Sequence, residues 1–194
     1  VLNGTTVGTQ YDRLVVNGNV NLNGATLAGS VGSGVNIGDT FTILTFTGTL
    51  TGRFAEPQGA GKVFIAGQKF TVTYNANSVV LQRVKNDATV NVSSSLNPSV
   101  YGQSVTFTAS LSAETGADPN RIGGTGTSVT FTLVSVSTGM TVATSTVNLT
   151  AGQTSATFTP TPGGNPLPVD SYTLTVTYTG NTDFNPSSGS LAAP

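Results

Sequence analysis

Acidic and amide side chains that suit a calcium ion gather in one stretch of the sequence, at Glu114, Asp118 and Asn120. Calcium takes carboxylate and amide oxygens as ligands. The spacing matches no EF-hand or nonapeptide pattern, and Asx residues also form ordinary turns by hydrogen bonding to their own backbone. The stretch is therefore a candidate calcium site, and turn chemistry is the interpretation that the spacing favours. A similar group at Asn181, Asp183 and Asn185 receives the same interpretation.

The residue types that usually carry catalysis are sparse in this chain. It has no Cys and no His, which excludes disulfides and metal sites built from thiolate or imidazole. The carboxylates are scattered, and no two stand at the i, i+2 spacing that would place them on one face of a strand. They are Asp12, Asp39, Glu56, Asp87, Glu114, Asp118, Asp170 and Asp183. A glycosidase pair assembled from distant loops stays open, but no motif supports one, so we expect no enzymatic activity and no cofactor.

The overall composition bounds the class of protein. The chain has 194 residues, of which 8% are charged, and a formal net charge of −1. Such a balance gives no basic surface for nucleic acid, and no apolar run is long enough to span a membrane as a helix. The first residue is Val1 within an apolar pattern, which suggests a fragment or a processed piece of a longer protein.

The elements that must position these residues are strands, because apolar and polar residues alternate along the chain with a period of two. The pattern is clearest over residues 172–178, where Tyr, Leu and Val alternate with Thr. Residues 105–111, 141–149 and 154–159 are further predicted strands. In residues 129–136 the apolar phase changes after Leu133, which predicts either a β-bulge or a strand that changes sheets.

The first half follows a different pattern. Asn-Gly pairs, at residues 3–4, 17–18 and 23–24, are typical of tight turns. The short apolar segments beside them, residues 14–16, 20–22 and 25–27, fit the rungs of a β-solenoid. Longer predicted strands follow at residues 41–47, 62–65, 70–74 and 79–84 and indicate a cap. We expect residues 82–88, with Arg83, Lys85 and Asp87, to be a polar join.

Residues 1–85 contain several spaced elements in a fixed order. They are Tyr-Asp-Arg-Leu at 11–14, Val-Asn-Leu-Asn-Gly-Ala at 20–25, Gly-Asp-Thr-Phe-Thr-Ile-Leu at 38–44 and Phe-Thr-Val-Thr-Tyr at 70–74. This arrangement resembles the closing module of bacterial autotransporter-type β-helix repeat proteins. The resemblance implies a β-solenoid-like terminal module over residues 1–85.

Residues 86–194 resemble a bacterial immunoglobulin-like repeat domain. The resemblance is carried by NPSVYGQSVTFTA at 97–109, by residues 172–181, and by Phe184, Pro186 and Ser187. The loop at residues 114–126 is longer than these repeats usually carry. The fold that both resemblances imply is all-β, a solenoid-like cap followed by an immunoglobulin-like β-sandwich. The implied role is mechanical, in stalks, spacers and adhesive arrays of secreted or surface proteins.

An immunoglobulin-like pattern requires one more long strand beside residues 172–178. Residues 187–194 offer Leu191 as their only large apolar side chain, and Pro194 has no N–H to donate. We therefore expect an unfilled sheet edge and, through it, head-to-tail strand addition that builds a filament. The alternative is truncation, with the missing strand in the next residues of a parent protein.

Two functions of different classes follow. The first is a non-enzymatic structural or adhesive segment of a secreted bacterial surface protein, located extracellularly or at the cell surface. Its partners would be neighbouring modules of the same polypeptide or identical subunits. The alternative is a carbohydrate-binding accessory region of a large secreted enzyme, whose partner would be a surface glycan. Sugar platforms usually use exposed aromatic rings, and Trp is absent, so the first function is favoured.

Overall fold

The computed structural model describes residues 1–56, 59 and 61–191. This part of the chain is all-β: its strands form several sheets, and it contains short 3₁₀ turns but no α-helix. The chain divides into two compact units. The first comprises Val1–Asn86 with Thr115–Asp118, and the second comprises Asp87–Glu114 with Pro119–Pro194.

The first unit is built around a mixed sheet in which a parallel pair adjoins antiparallel strands. Its strand order is β1-β3-β7-β6-β5, and β2 pairs with β4 in a second, small sheet. The strands are β1 (Leu14–Val16), β2 (Val20–Asn21), β3 (Thr40–Phe46), β4 (Leu50–Thr51), β5 (Lys62–Ile65), β6 (Gln68–Tyr74) and β7 (Ser78–Arg83). The hairpin between β6 and β7 and the strand at 62–65 agree with the sequence pattern.

Two successive stretches of the first unit stack in parallel with a constant offset. Leu14 pairs with Leu44 and Val20 with Leu50, and the side chain of Asn17 meets that of Thr47, always at a separation of 30 residues. Earlier in the chain, Leu2 forms a parallel bridge to Val31. We call residues 2–30 the first coil and residues 31–55 the second coil.

The core of the first unit lies under this stack and is centred on aromatic rings. Phe41 is fully buried, with its ring centroid 5.4 Å from that of Tyr11 and 6.2 Å from that of Phe70. Both pairs are edge-on, the arrangement that aromatic quadrupoles favour. Phe41 therefore joins the first coil, through Tyr11, to the antiparallel strands, through Phe70.

The short-range turn predictions are correct in part. Asn23 and Gly24 both have positive φ, 43° and 74°, as the tight turn requires. Gly4 does not lie in that region, and residues 25–27 form no strand. Residues 25–27 are instead held by individual backbone hydrogen bonds, such as the bond from the amide of Ala55 to the carbonyl of Ala25.

The second unit contains two antiparallel sheets. Their orders are β11-β10-β13-β14 and β12-β9-β8. The strands are β8 (Ala88–Ser94), β9 (Phe107–Ala113), β10 (Ser128–Ser135), β11 (Thr141–Asn148), β12 (Ser155–Phe158), β13 (Tyr172–Tyr178) and β14 (Ser187–Leu191). The two sheets meet through their side chains, as fully buried Phe131 meets half-buried Phe158 with 5.6 Å between ring centroids. The arrangement is consistent with a β-sandwich.

The register of β10 against β11 shifts between Leu133 and Val134, while the pairing of β10 with β13 stays regular. The extra residue lies on β11, because Leu133 pairs with Ala143 and Val134 with Thr141, which leaves Val142 without a partner in β10. The expectation that β10 itself bulges or changes sheets after Leu133 is therefore wrong. Its buried face continues through Ser135, and Val136 is exposed.

The expectation of a missing last strand is wrong. β14 fills that position and pairs with β13 from Leu174–Leu191 to Tyr178–Ser187. The sequence pattern hides this strand because its residues are small, Ser-Ser-Gly-Ser before Leu191. A β-carbon on Gly189 would overlap the carbonyl oxygen of Val90 on β8, so the two backbones approach closely where larger residues have no room. Residues 192–194, including Pro194, lie outside the described residues.

Gly189→Ala is expected to destabilise the second unit by about 1–3 kcal/mol, because the added methyl group meets backbone that cannot rotate away. Ser190→Ala, on the exposed side of the same strand, is the matched control and should change stability little. Urea unfolding followed by circular dichroism measures both. Equal effects of the two substitutions would contradict the close approach of β14 to β8.

Candidate functional site

The predicted calcium residues are held by hydrogen bonds of the surrounding backbone. The Glu114 carboxylate accepts from the amide of Asp87 at 2.6 Å, and the amide of Glu114 donates to the carbonyl of Asp87 at 3.0 Å. The Asp118 amide donates to the Gly67 carbonyl at 3.0 Å, and the Asn120 carbonyl accepts from Gly152 at 3.2 Å. Asp118 is grouped with the first unit, whereas Glu114 and Asn120 are grouped with the second. A calcium site here stays a prediction.

The second acidic group is a turn network. The side-chain oxygen of Asn181 accepts from the amides of Asp183 and Phe184, both at 2.8 Å. Its amide nitrogen donates to the carbonyls of Arg121 and Ile122 at 2.8 and 3.0 Å. Asp183 forms an ion pair with Arg121 at 2.9 Å. Asn181 thus joins the β13–β14 loop to the segment before β10, as Asx turn chemistry allows.

A buried tyrosine hydroxyl completes this network. Tyr178 is fully buried and donates to the Ile122 carbonyl at 2.8 Å. Burial raises the pKa of Tyr178 to about 12, and the negative charge of Asp183 adds to the rise. The hydroxyl therefore stays protonated at neutral pH and acts as a hydrogen-bond donor, which makes it a structural group and a poor base.

Tyr178 should make the second unit sensitive to alkali. A raised folded-state pKa contributes stability that is complete below the unfolded value of 10.0 and is lost as the pH rises toward about 12. Urea unfolding of the second unit between pH 9 and pH 12 should show this loss, and Tyr178→Phe should reduce it. Exposed Tyr101 offers the control Tyr101→Phe, which should leave the profile unchanged. A Tyr178→Phe profile that matches the parent chain would contradict the assignment.

A carboxylate and a tyrosine also meet in the first unit. The Tyr74 hydroxyl donates to Glu56 at 2.6 Å and accepts from the amide of Phe54 at 3.1 Å, while Arg53 lies 4.7 Å from the Tyr74 ring centroid. Burial, and then the hydrogen bond to Glu56, raise the pKa of Tyr74 to about 12. The phenol is therefore held protonated, and the group braces the chain after β4 against β6.

Two polar residues of the predicted join are buried. Arg83 is the last residue of β7 and is 1% exposed, and Asn86 is fully buried. The Arg83 guanidinium donates to Gln68 at 2.9 Å and to the carbonyls of Lys69 and Val84. Asn86 accepts from the Lys69 amide at 2.9 Å. Both side chains thus form hydrogen bonds with the backbone of Lys69, and the role of residues 82–88 as a join between the halves stays a prediction.

A hollow that no sequence pattern predicts lies at one end of the sandwich. This end hollow has a volume of about 220 Å³ and lies among the β8–β9 loop, the β12–β13 loop and the end of β14. Tyr101 borders it and is 67% exposed. Large exposed apolar side chains of the second unit, in its described part, all lie in loops at this same end: Leu96, Val100, Tyr101, Val136, Met140 and Val169.

A carboxylate with a fixed orientation, that of Asp170, also lines the end hollow. Asp170 accepts hydrogen bonds from the hydroxyls of Ser135 and Ser137. These bonds, Ser135 first, hold the pKa of Asp170 below its usual value. Tyr172 donates to the Pro168 carbonyl at 2.6 Å, which fixes its ring at the rim. An aromatic face, an ionised carboxylate and amide side chains are the groups that bind a sugar ring.

The comparisons add no relative. Neither a protein-family model nor a curated protein matches this chain. Among the residues that the structure describes, no group of three or more His, Cys, Asp or Glu side chains could hold a metal ion. The described helical segments include none that is long and apolar enough to cross a bilayer.

Proposed function

We propose that this protein is a non-enzymatic structural or adhesive segment of a secreted bacterial surface protein. Its first unit is the end of a β-solenoid, and its second unit is an immunoglobulin-like sandwich. The observation that carries the proposal is the stack of two coils at a constant offset of 30 residues, with β3 covered on its far edge by antiparallel β7. A stack that is closed on one side is the form that a terminal repeat takes.

The stack has the hydrogen bonds that a rigid rod requires. Backbone bonds between the coils continue outside the strands, from Thr47 to Val16, from Gly48 to Gly18 and from Gly24 to Arg53. Asn19 adds side-chain bonds to the amide and hydroxyl of Thr49, at 2.8 and 3.2 Å. Separating the coils requires these bonds to break together, so the unit resists extension.

The sandwich suits the same role. Its strand order, β11-β10-β13-β14 over β12-β9-β8, places the first and last strands of the unit close together. Gly189 on β14 lies against Val90 on β8. A force applied at the two ends of the unit therefore acts on β8 and β14, which lie close together and are each hydrogen-bonded within a sheet. This is the arrangement expected of a load-bearing module. Because β14 completes the sheet, strand addition forms no part of this proposal.

Single-molecule force spectroscopy of the full chain tests the role. Pulling from the two termini should give separate unfolding events for the two units. Gly189→Ala should lower the force of one event and leave the other unchanged, and Ser190→Ala should alter neither. Extension without a force peak would overturn the proposal.

A second candidate function, carbohydrate binding, is favoured by the end hollow, which exposed Tyr101 and Asp170 both line. A glycan array is expected to show binding that Tyr101→Ala reduces by tenfold or more, because the stacking face is lost. Tyr101→Phe keeps the ring and should retain most of the affinity. An array without binding for the parent chain would remove this candidate and leave the structural role in place.

A further inference from the structure

The first coil carries asparagine at every second position where it meets the second coil. These residues are Asn17, Asn19, Asn21 and Asn23. Asparagine is chemically labile, because the backbone nitrogen of the next residue can attack the carbon of its side-chain amide. The attack requires a nitrogen whose hydrogen is not held by an acceptor, and it is fastest when the next residue is glycine, which has no side chain to hinder it.

The backbone amides that follow these four asparagines are not equivalent. Three of them donate to carbonyl oxygens of the second coil at 2.9 or 3.0 Å: those of Val20, Leu22 and Gly24. The fourth, that of Gly18, donates to no acceptor within the described part of the chain. A β-carbon on Gly18 would meet no atom within 4 Å, and the side chain of Asn17 is exposed. In this series, Asn17 is therefore the asparagine whose neighbour is free to attack.

The remaining Asn-Gly pair of the first coil is enclosed. Gly4 is buried, and a β-carbon there would lie 2.6 Å from the side-chain oxygen of Gln10. The side-chain oxygen of Asn3 lies against Gly32, only 2.3 Å from where a β-carbon of that glycine would be. Asn3 thus lacks the room and the water that Asn17 has.

The side chain of Asn17 also contacts a group that can assist the attack. The hydroxyl of Thr47 donates to Oδ1 of Asn17 at 2.9 Å. When a nitrogen adds to the amide carbon, negative charge develops on this oxygen, and a donor that already points at it stabilises that charge. The contact between the two coils therefore holds Asn17 beside both a free nitrogen and an oxyanion donor.

We propose that Asn17 is a site of spontaneous deamidation and that the Thr47 hydroxyl promotes the reaction. The Gly18 nitrogen gives its proton to solvent and forms a bond to Cγ of Asn17. The bond from Cγ to the side-chain nitrogen then breaks, and that nitrogen takes up a proton and leaves as ammonia. The succinimide ring that results adds one water molecule across either of its C–N bonds and opens to aspartate or to isoaspartate. Water is the only co-reactant, and no atom is oxidised or reduced.

The two products change the contact between the coils differently. Aspartate at position 17 keeps an oxygen that accepts from Thr47. Isoaspartate directs the main chain through the former side chain and adds a methylene group to it between β1 and β2. This addition moves Asn19 away from the amide and hydroxyl of Thr49, with which it now bonds.

The test is incubation of the full chain at mildly alkaline pH, followed by proteolysis and mass spectrometry of the peptides. Each deamidation raises the mass of a peptide by about 1 Da. In the folded chain, Asn17 should react at least about tenfold faster than Asn3, Asn19 and Asn23, because its neighbouring nitrogen is free, and isoaspartate should be among the products. In urea, where the fold no longer selects, the three Asn-Gly pairs should react at similar rates. A folded chain in which Asn17 reacts no faster than Asn3 and Asn23, or gives no isoaspartate, would overturn the proposal.

Three variants test the role of the hydroxyl. Thr47→Val removes it and keeps the shape of the side chain, so deamidation of Asn17 should slow by about fivefold or more. Thr47→Ser supplies a hydroxyl again and should recover most of the rate. Thr49→Val is the matched control, because it removes the corresponding hydroxyl bond to Asn19 and should leave the rate at Asn17 unchanged. Equal slowing by Thr47→Val and Thr49→Val would assign the effect to a loosened contact between the coils and overturn the role of Thr47.

Discussion

Replacing Phe41 by alanine is expected to lower the free energy of unfolding of the first unit by about 3–5 kcal/mol. Phe41 is fully buried and is the ring that contacts both Tyr11 and Phe70. Truncation removes the burial energy of the ring and leaves a cavity between the coils and the antiparallel strands. Relaxation cannot fill this cavity, because β3 is fixed by β1 on one edge and by β7 on the other.

Urea unfolding followed by circular dichroism measures the change, with Ile37→Ala as the control. Ile37 is 42% exposed and lies just before β3, so its truncation should cost far less. The second unit should keep its own transition, since the units are separate compact bodies. A loss of both transitions together would show that the two cores do not unfold independently.

Phe131→Ala should produce a loss of similar size, about 3–5 kcal/mol, in the second unit. Phe131 is fully buried in the middle of β10, between β11 and β13, and its ring reaches Phe158 of the other sheet. Its removal therefore opens the contact between the two sheets. Both neighbouring strands hold β10 in place, which prevents the sheets from closing the gap.

Val136→Ala is the control for this substitution, because Val136 is 54% exposed and lies in the loop directly after the same strand. Thermal and urea unfolding should show the second unit shifted by Phe131→Ala and nearly unchanged by Val136→Ala. A loss below about 1 kcal/mol for Phe131→Ala would mean that the sheets do not rely on this contact.

The strands that the sequence predicts well either alternate apolar and polar residues or lie as short apolar segments between turn residues. Residues 172–178 agree with the bounds of β13, residues 62–65 with β5 and residues 14–16 with β1. In each case the residues of the segment itself, or the turn residues on either side of it, define where the strand begins and ends, so the predicted bounds match the observed ones. The change of apolar phase after Leu133 did not predict β10 correctly, because the extra residue lies on the neighbouring strand β11 and the alternation of β10 is unbroken.

The features that pattern reasoning missed depend on neighbours that are distant in sequence. β14 has small residues because its backbone approaches Val90, and nothing near Gly189 in the sequence reports that contact. The sequence around Arg83 is polar, but Arg83 is buried and its guanidinium donates to Gln68 and to the carbonyl of Lys69 in β6. The end hollow combines residues 94–107 with residues 167–174, which no local pattern brings together.

Local chemistry was enough to establish that this is an all-β protein, because alternation and Asn-Gly turns act within a few residues. The absence of Cys and His likewise restricted its chemistry without any structure. The exposure of each strand edge, in contrast, depended on tertiary pairing. Leu14 and Leu44 are the same residue type in the same kind of strand, yet one is exposed and the other is buried. The difference arises because Leu44 has a paired strand on each side, whereas Leu14 has one on a single side. The strand preference of leucine is the same at both positions, so it cannot report a hydrogen-bonding partner 30 residues away.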